Sequence, residues 1–143
     1  GILHDVTKAL LLQEQLKLCE ECGMLYSDFE GKNGKLLHAK TGAAVATRVF
    51  GESREVCEAI RWHTTGRANM TTLEKIIYLA DYMEPNRDFP GVEKLREAAE
   101  TSLDAAMILG LEMSIAQLRG RGRSIDPNSQ AALDFFQERT KEK

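Results

Sequence analysis

Proline is nearly missing from this chain. Pro85, Pro90 and Pro127 are the three present, and residues 1–84 contain none. A proline inside a helix removes a hydrogen bond and clashes with the preceding turn, so its absence leaves that whole stretch open to helix. Cysteine is equally scarce. Cys19, Cys22 and Cys57 make an odd number, which excludes a disulfide-built scaffold and fits free thiols in a reducing compartment. Cys19 and Cys22 form a CxxC, but no second CxxC follows and no strand precedes it, so they read as small residues on adjacent helical turns. Long apolar runs are lacking too. The longest spans Ala105 to Leu111, far short of the ~20 residues that cross a bilayer. No basic segment followed by an apolar stretch opens the chain, so a signal peptide is not expected and a cytoplasmic location is. Nor does one sign of charge dominate. Lys and Arg total 19, Asp and Glu 22, giving a net charge of −3, which offers neither nucleic acid nor an anionic membrane an attractive surface.

What is present is an ordinary globular composition, 43% hydrophobic and 29% charged over 143 residues. That length suits a single domain, expected to span residues 1–143. The opening Gly1-Ile2-Leu3-His4-Asp5 has no initiator Met and no polar lead-in. It reads like the middle of a domain, so the natural N-terminus is expected to lie upstream.

The pattern is helical nearly throughout. A first helix is expected over Thr7–Glu21, stopped by Gly23, and residues 27–35 read as a loop. A second covers Leu36–Phe50, with Gly51 behind it. Ser53 caps a third that runs to about Thr65, where Gly66 ends it. Thr71 or Thr72 caps a fourth, with Glu74 as a capping-box partner of Thr71 and Pro85 as the stop. A long helix over Val92–Leu118 ends in Arg119-Gly-Arg-Gly-Arg123, and a last one covers Asn128–Arg139. The alternating arginines suit phosphate or RNA, but they equally keep a helix end solvated. The expected fold class is all-α.

The three histidines carry the chemistry. His38, Thr41/Gly42, Val45 and Val49 share one helical face, and Val56, Ile60 and His63 share another. Asp81 lies one turn beyond Ile77, directly after Leu79-Ala80, and His4-Asp5 follows an apolar opening. Four elements thus place a metal-capable side chain on or beside their apolar side. A single such histidine can be a hydrogen-bonded core residue. Four together pose a burial problem, because an unpartnered buried carboxylate costs several kcal/mol. A divalent metal held by His and Asp resolves all four burials at once. Nitrogen and oxygen ligands without thiolate favour iron, manganese, cobalt or zinc over a structural zinc finger.

These residues resemble the HD-domain metal-dependent phosphohydrolases, in which an adjacent His-Asp pair gives the family its name. The longer context is more specific: Gly1-Ile-Leu-His-Asp-Val-Thr-Lys8, Leu37-His38-Ala-Lys-Thr-Gly-Ala43, Ala59-Ile-Arg-Trp-His63-Thr-Thr-Gly-Arg67, Ile76-Ile-Tyr-Leu-Ala-Asp81-Tyr-Met-Glu-Pro-Asn-Arg87 and Phe89-Pro-Gly-Val92. In this order they look like the YqeK-type subgroup, symmetrical bis(5′-nucleosyl)-tetraphosphatases, over nearly the whole chain.

The resemblance implies a helical HD bundle with a site for two divalent metal ions, usually iron. Asp5 would bridge both, His4 and Asp81 would hold one, and His38 and His63 the other. The reaction would be hydrolysis of diadenosine tetraphosphate or a related dinucleoside polyphosphate at its centre, giving two ADP. Two cations roughly 3.5–4 Å apart can share a water and lower its pKa, so that hydroxide attacks phosphorus in line. Lys8, Thr64 or Thr65, Arg67 and Arg87 would contact phosphate, the arginines in bidentate fashion. Each also has a plainer reading, as a solvated helix-end residue, a hydroxyl bonded to its own backbone or, for Arg87, a partner of Glu84 or Asp88. The family pattern carries a further histidine ligand upstream of His-Asp, before this chain begins, so the domain is expected to lack its N-terminal helix or helices. The resemblance also suggests a homodimer; the apolar excess of Val92–Leu118 fits that or a central buried helix.

Three rival functions stay open on sequence alone. One is another HD-domain nucleotide phosphohydrolase, although the Gly-Tyr-Pro signature of cyclic-dinucleotide phosphodiesterases is absent. A second is a non-catalytic metal- or nucleotide-binding module. The third, an RNA-binding domain built on Arg119–Arg123, sits poorly with the acidic net charge.

Overall fold

The computed structural model describes residues 2–23, 31–32 and 34–141, which divide into two compact units, Gly1–Thr64 and Thr65–Lys143. Among the described residues there are seven helices and no strand, the all-α class expected. The first unit holds α1 (Leu12–Glu21), α2 (Gly34–Arg48) and α3 (Arg54–Arg61). The second holds α4 (Thr72–Tyr82), α5 (Val92–Thr101), α6 (Leu103–Gly120) and α7 (Pro127–Lys141).

In the first unit, α2 packs against both α1 and α3. Its inner face is made of small residues. Ala43 and Ala46 are buried with Cys57 and Ile60 of α3, and Leu3 and Val56 close over them. The first helix starts later than its periodicity suggests, at Leu12 rather than Thr7. Residues 2–10 instead form successive four-residue turns, closed by Val6 N–H to Leu3 O at 3.2 Å, Lys8 N–H to Asp5 O at 3.0 Å and Leu10 N–H to Thr7 O at 3.1 Å. Two side chains account for this. The Thr7 hydroxyl is bonded across to α2, and Leu11 takes an extended N-cap conformation whose N–H is accepted by Glu14 at 3.0 Å. Of the loop expected over 27–35, residues 27–30 and 33 lie outside the described residues, and α2 already begins at Gly34. Ser53 caps α3 as expected, accepting the Val56 N–H at 3.4 Å. The helix ends at Arg61, four residues short of the expected Thr65, and a turn leads on through His63.

The second unit is organised around α6, which packs against α4, α5 and α7. Ala106, Met107, Gly110, Leu111 and Ile115 of α6 are buried with Tyr78, Leu79, Leu95, Ala132 and Phe136. Ile108, Leu109 and Met113 pack at the margin of this core, so the apolar excess of the segment is explained by a central helix. The expected Val92–Leu118 helix is two helices. Ser102 is extended (φ −157°, ψ 125°), and its hydroxyl accepts the Ala105 N–H at 3.2 Å, making it the N-cap of α6. Gly91 begins α5 at φ +93°, where a side chain would be strained and a Cβ would lie 2.8 Å from Met113 Cε. Thr71 caps α4, accepting from Glu74 N–H at 3.2 Å. The Glu74 carboxylate accepts from the Thr71 hydroxyl at 2.9 Å and does not reach back to the backbone, so the expected capping box is only half present. Pro127 opens α7, with Asp126 accepting the Asn128 N–H at 2.8 Å. No helix among the described residues is long and apolar enough to cross a membrane.

Candidate metal centre

Three elements of the first unit bring their polar side chains to one point. His4 and Asp5 lie on the turns before α1, His38 lies in the second turn of α2, and His63 follows α3. His38 and His63 are each 2% exposed, whereas the Asp5 side chain keeps 32% of its surface. Asp5 Oδ1 is 3.1 Å from His38 Nε2 and 3.3 Å from His63 Nε2, and the two imidazole nitrogens are 3.1 Å apart. Asp5 Oδ2 faces the other way, 3.2 Å from His4 Nε2 and 3.7 Å from Lys8 Nζ. The rings of His4 and His38 each meet that of His63 edge-on, at 5.0 Å between centroids.

The proton on one of these rings is constrained. His63 Nδ1 lies 2.6 Å from the Ile60 carbonyl, which can only accept, so Nδ1 carries the hydrogen. In the neutral ring Nε2 therefore presents its lone pair toward Asp5 and His38. A ring nitrogen tied back to a carbonyl while its partner faces other donors is the usual arrangement behind a metal ligand. Asp5 is under opposing influences. Burial pushes its carboxyl up, but His4, Lys8, His63 and His38 together outweigh it and hold the group below the ordinary 3.8. It is the anionic form that the site favours.

Two threonines fix this geometry from behind. The Thr7 hydroxyl donates to the His38 carbonyl at 2.9 Å and accepts from the Thr41 hydroxyl at 2.7 Å, with Thr7 3% and Thr41 0% exposed. The turn bearing His4 and Asp5 is thereby tied to the helix bearing His38. The helix runs close to that turn at Gly42, where a Cβ would lie 3.5 Å from the His4 carbonyl and 3.4 Å from Ile60 Cγ2, both ordinary contacts. Thr41 and Gly42 were visible as sharing the face of His38. Thr7 was not singled out, and its signal was its place one turn beyond His4.

The remaining residues expected at the site are distributed as follows. Lys8 is beside Asp5 and half exposed. Thr64 belongs to the first unit, and its hydroxyl is buried with no hydrogen-bond partner among the described residues. Thr65 donates to the Gly66 carbonyl at 3.0 Å, so its hydroxyl is bonded to neighbouring backbone. Asp81 lies in the last turn of α4, in the second unit, with its Oδ1 3.8 Å from Arg87 Nη2. Arg87 is thus paired with Asp81 rather than with Glu84 or Asp88. Arg67 directs Nε and Nη2 at the two oxygens of Glu74, at 2.7 and 2.9 Å, and Glu74 is 1% exposed. That fork holds a buried carboxylate and anchors the chain ahead of α4.

A family model described as HD domain matches residues 1–86. The chain is 44% identical over 142 residues to a symmetrical bis(5′-nucleosyl)-tetraphosphatase from Halalkalibacterium halodurans, covering 94% of this chain and 72% of that one. It is 37% identical over 130 residues to the protein of the same name from Bacillus subtilis, covering 90% and 69%. A crystal structure from Clostridium acetobutylicum, described as an HD superfamily hydrolase involved in NAD metabolism, superposes with a TM-score of 0.93 at 37% identity, over 97% of this chain and 74% of that one.

Proposed function

This chain belongs to the HD-domain family, among the symmetrical bis(5′-nucleosyl)-tetraphosphatases, and we propose that it hydrolyses diadenosine tetraphosphate and related dinucleoside polyphosphates to nucleoside diphosphates, two ADP in the first case. It is a hydrolase of phosphoric anhydride bonds in this reading, and the observation that carries it is the convergence of Asp5, His38 and His63. These three side chains, from three separate elements, offer ligand atoms all within 4.8 Å of one another.

That donor set fits a first-row divalent metal. It consists of imidazole nitrogen and carboxylate oxygen, with one imidazole fixed in the ligating tautomer and the carboxylate kept anionic. We assign His38 and His63 to one ion and His4 to a second, with Asp5 shared because its two oxygens face the two groups of histidines. Asp81 is assigned as a further ligand of the second ion on its motif, Leu79-Ala-Asp81-Tyr, as the family resemblance implies. Iron is the metal the family resemblance favours, with manganese, cobalt and zinc compatible with the same donors. Bound metal would supply Lewis acidity toward the phosphate and lower the pKa of water.

The chain's own residues supply the rest. Lys8, half exposed beside Asp5, is free to reach outward and offset charge on a phosphoryl oxygen. Thr64 brings a buried hydroxyl with no hydrogen-bond partner among the described residues, suited to a phosphate oxygen. Arg87 is held only loosely by Asp81 at 3.8 Å and is 43% exposed, so it can turn to an anionic substrate. Arg67 is the weakest of the four, since its fork is already engaged by Glu74; we keep it as a phosphate contact on motif alone. Both units together are read as one HD phosphohydrolase domain that works in the cytoplasm as a homodimer, without nucleic acid or membrane as partner.

Metal content and turnover of diadenosine tetraphosphate, measured on the same sample after anaerobic reconstitution with ferrous iron, test this function. Two ions per chain with hydrolysis abolished by a chelator are expected. One tightly held ion with no turnover would favour a non-catalytic module, and turnover indifferent to chelation would overturn the metal reading.

A further inference from the structure

We propose that Arg96 is a positioning residue: its guanidinium holds the segment after α4 so that Arg87 is presented to the substrate's phosphates. The inference rests on the phosphate role given to Arg87 above.

Arg96 lies in the second turn of α5 and keeps 30% of its side chain exposed. Its donors reach back to three carbonyls of one short segment. Nε donates to Met83 O at 3.3 Å, and Nη2 donates to Glu84 O and to Arg87 O, both at 3.1 Å. Met83 is the C-cap of α4, so these contacts place a cation at the negative end of that helix. One side chain thus ties the carbonyl of the helix cap, which needs a partner, to two carbonyls of the turn that follows it. The fourth contact, Nη1 to Glu93 Oε1 at 2.6 Å, orients the fork from within α5, although Glu93 is largely exposed and the pair adds little energy of its own.

The consequence falls on Arg87. Its N–H is taken by Glu84 O at 2.9 Å and its C=O by Arg96, so both of its peptide groups are pinned while its side chain extends toward Asp81. A long side chain rooted on a fixed backbone loses less freedom when it meets a phosphate than one rooted on a wandering loop. Lysine could not substitute. An ammonium keeps the charge but lacks the planar fork that spans separate carbonyls.

The test is a double-mutant cycle on the metal-loaded enzyme with diadenosine tetraphosphate, using Arg96→Lys, Arg87→Ala and the pair, with metal content and melting temperature checked for each. Arg87→Ala is expected to raise KM about tenfold, the scale of one lost charge-assisted contact. Arg96→Lys should raise KM by several-fold with kcat and metal content little changed, and should add nothing in the Arg87→Ala background. Effects that multiply in the double variant would overturn the positioning role, since Arg96 would then act independently of Arg87. An unchanged KM in Arg96→Lys, with Arg87→Ala impaired, would overturn this inference alone. An unchanged KM in Arg87→Ala would overturn the phosphate role of Arg87 together with the inference.

Discussion

Asp5 presents its two carboxylate oxygens to different neighbours, Oδ1 to His38 and His63 and Oδ2 to His4 and Lys8. Replacing it by Asn preserves the shape but removes the charge that a cation would balance. Asp5→Asn is therefore expected to lose bound metal, seen by elemental analysis, and to reduce hydrolysis by at least about a hundredfold. An Asn variant that still loads metal fully would mean that the histidines alone make the site. The candidate ligand residues stand out in the sequence because the protein has three histidines, each on or beside an apolar face or opening. Their supports were less so. Thr7 and Thr41 act through hydroxyls that bond across 31 and 34 positions of chain, and no local spacing encodes such a partner. Arg67 shows the same limit. Its motif position suggests a phosphate clamp, whereas the buried carboxylate that occupies its fork becomes visible only once Glu74 is folded beneath it.

At the scale of helices, caps were read more securely than lengths. Ser53 and Thr71 act as N-caps where their spacing placed them. The break at Ser102 was missed, because apolar residues continue through it at helical spacing while one extended residue resets the axis. The start of α1 was placed too early for a related reason: Thr7–Leu11 is compatible with helix, but Thr7 spends its hydroxyl on α2. Packing between helices of the second unit gives two expectations. Leu111, 1% exposed in the centre of α6, fills space between neighbours, so Leu111→Ala should destabilise the fold by about 2–5 kcal/mol in denaturant titrations. Tyr78 of α4 is buried and hydrogen bonds Ser114 of α6; burial, then the neighbouring Tyr82, push its hydroxyl well above the ordinary 10, the Ser114 bond pulling slightly the other way. Above pH 10 the unfolded chain releases this proton while the folded one retains it, so the stabilisation is complete below that pH and declines as pH rises beyond it. Tyr78→Phe should flatten the decline in stability measured by urea unfolding above pH 10. An unchanged slope would place the alkaline sensitivity elsewhere.

For the whole molecule, the all-α class and the family were both legible from composition and from motifs spread along the chain, and the matches to relatives extend over most of its length. What composition could not convey is that the described residues separate into two compact units, because Gly66 reads as one more helix stop and no proline or run of charge sets Thr64–Thr65 apart. Metal binding should register on global stability. An ion that binds only the folded protein stabilises it by about 2.7 kcal/mol when present at a hundred times its Kd. Ferrous iron should raise the melting temperature of the native protein and leave that of Asp5→Asn unmoved; an equal rise in both would assign the stabilisation to another site. Whether cleavage is symmetrical is decided by chromatography of the products formed from diadenosine tetraphosphate under anaerobic conditions with ferrous iron. ADP is expected as the sole product. ATP and AMP in equal amounts would mean asymmetrical cleavage and overturn the proposed function.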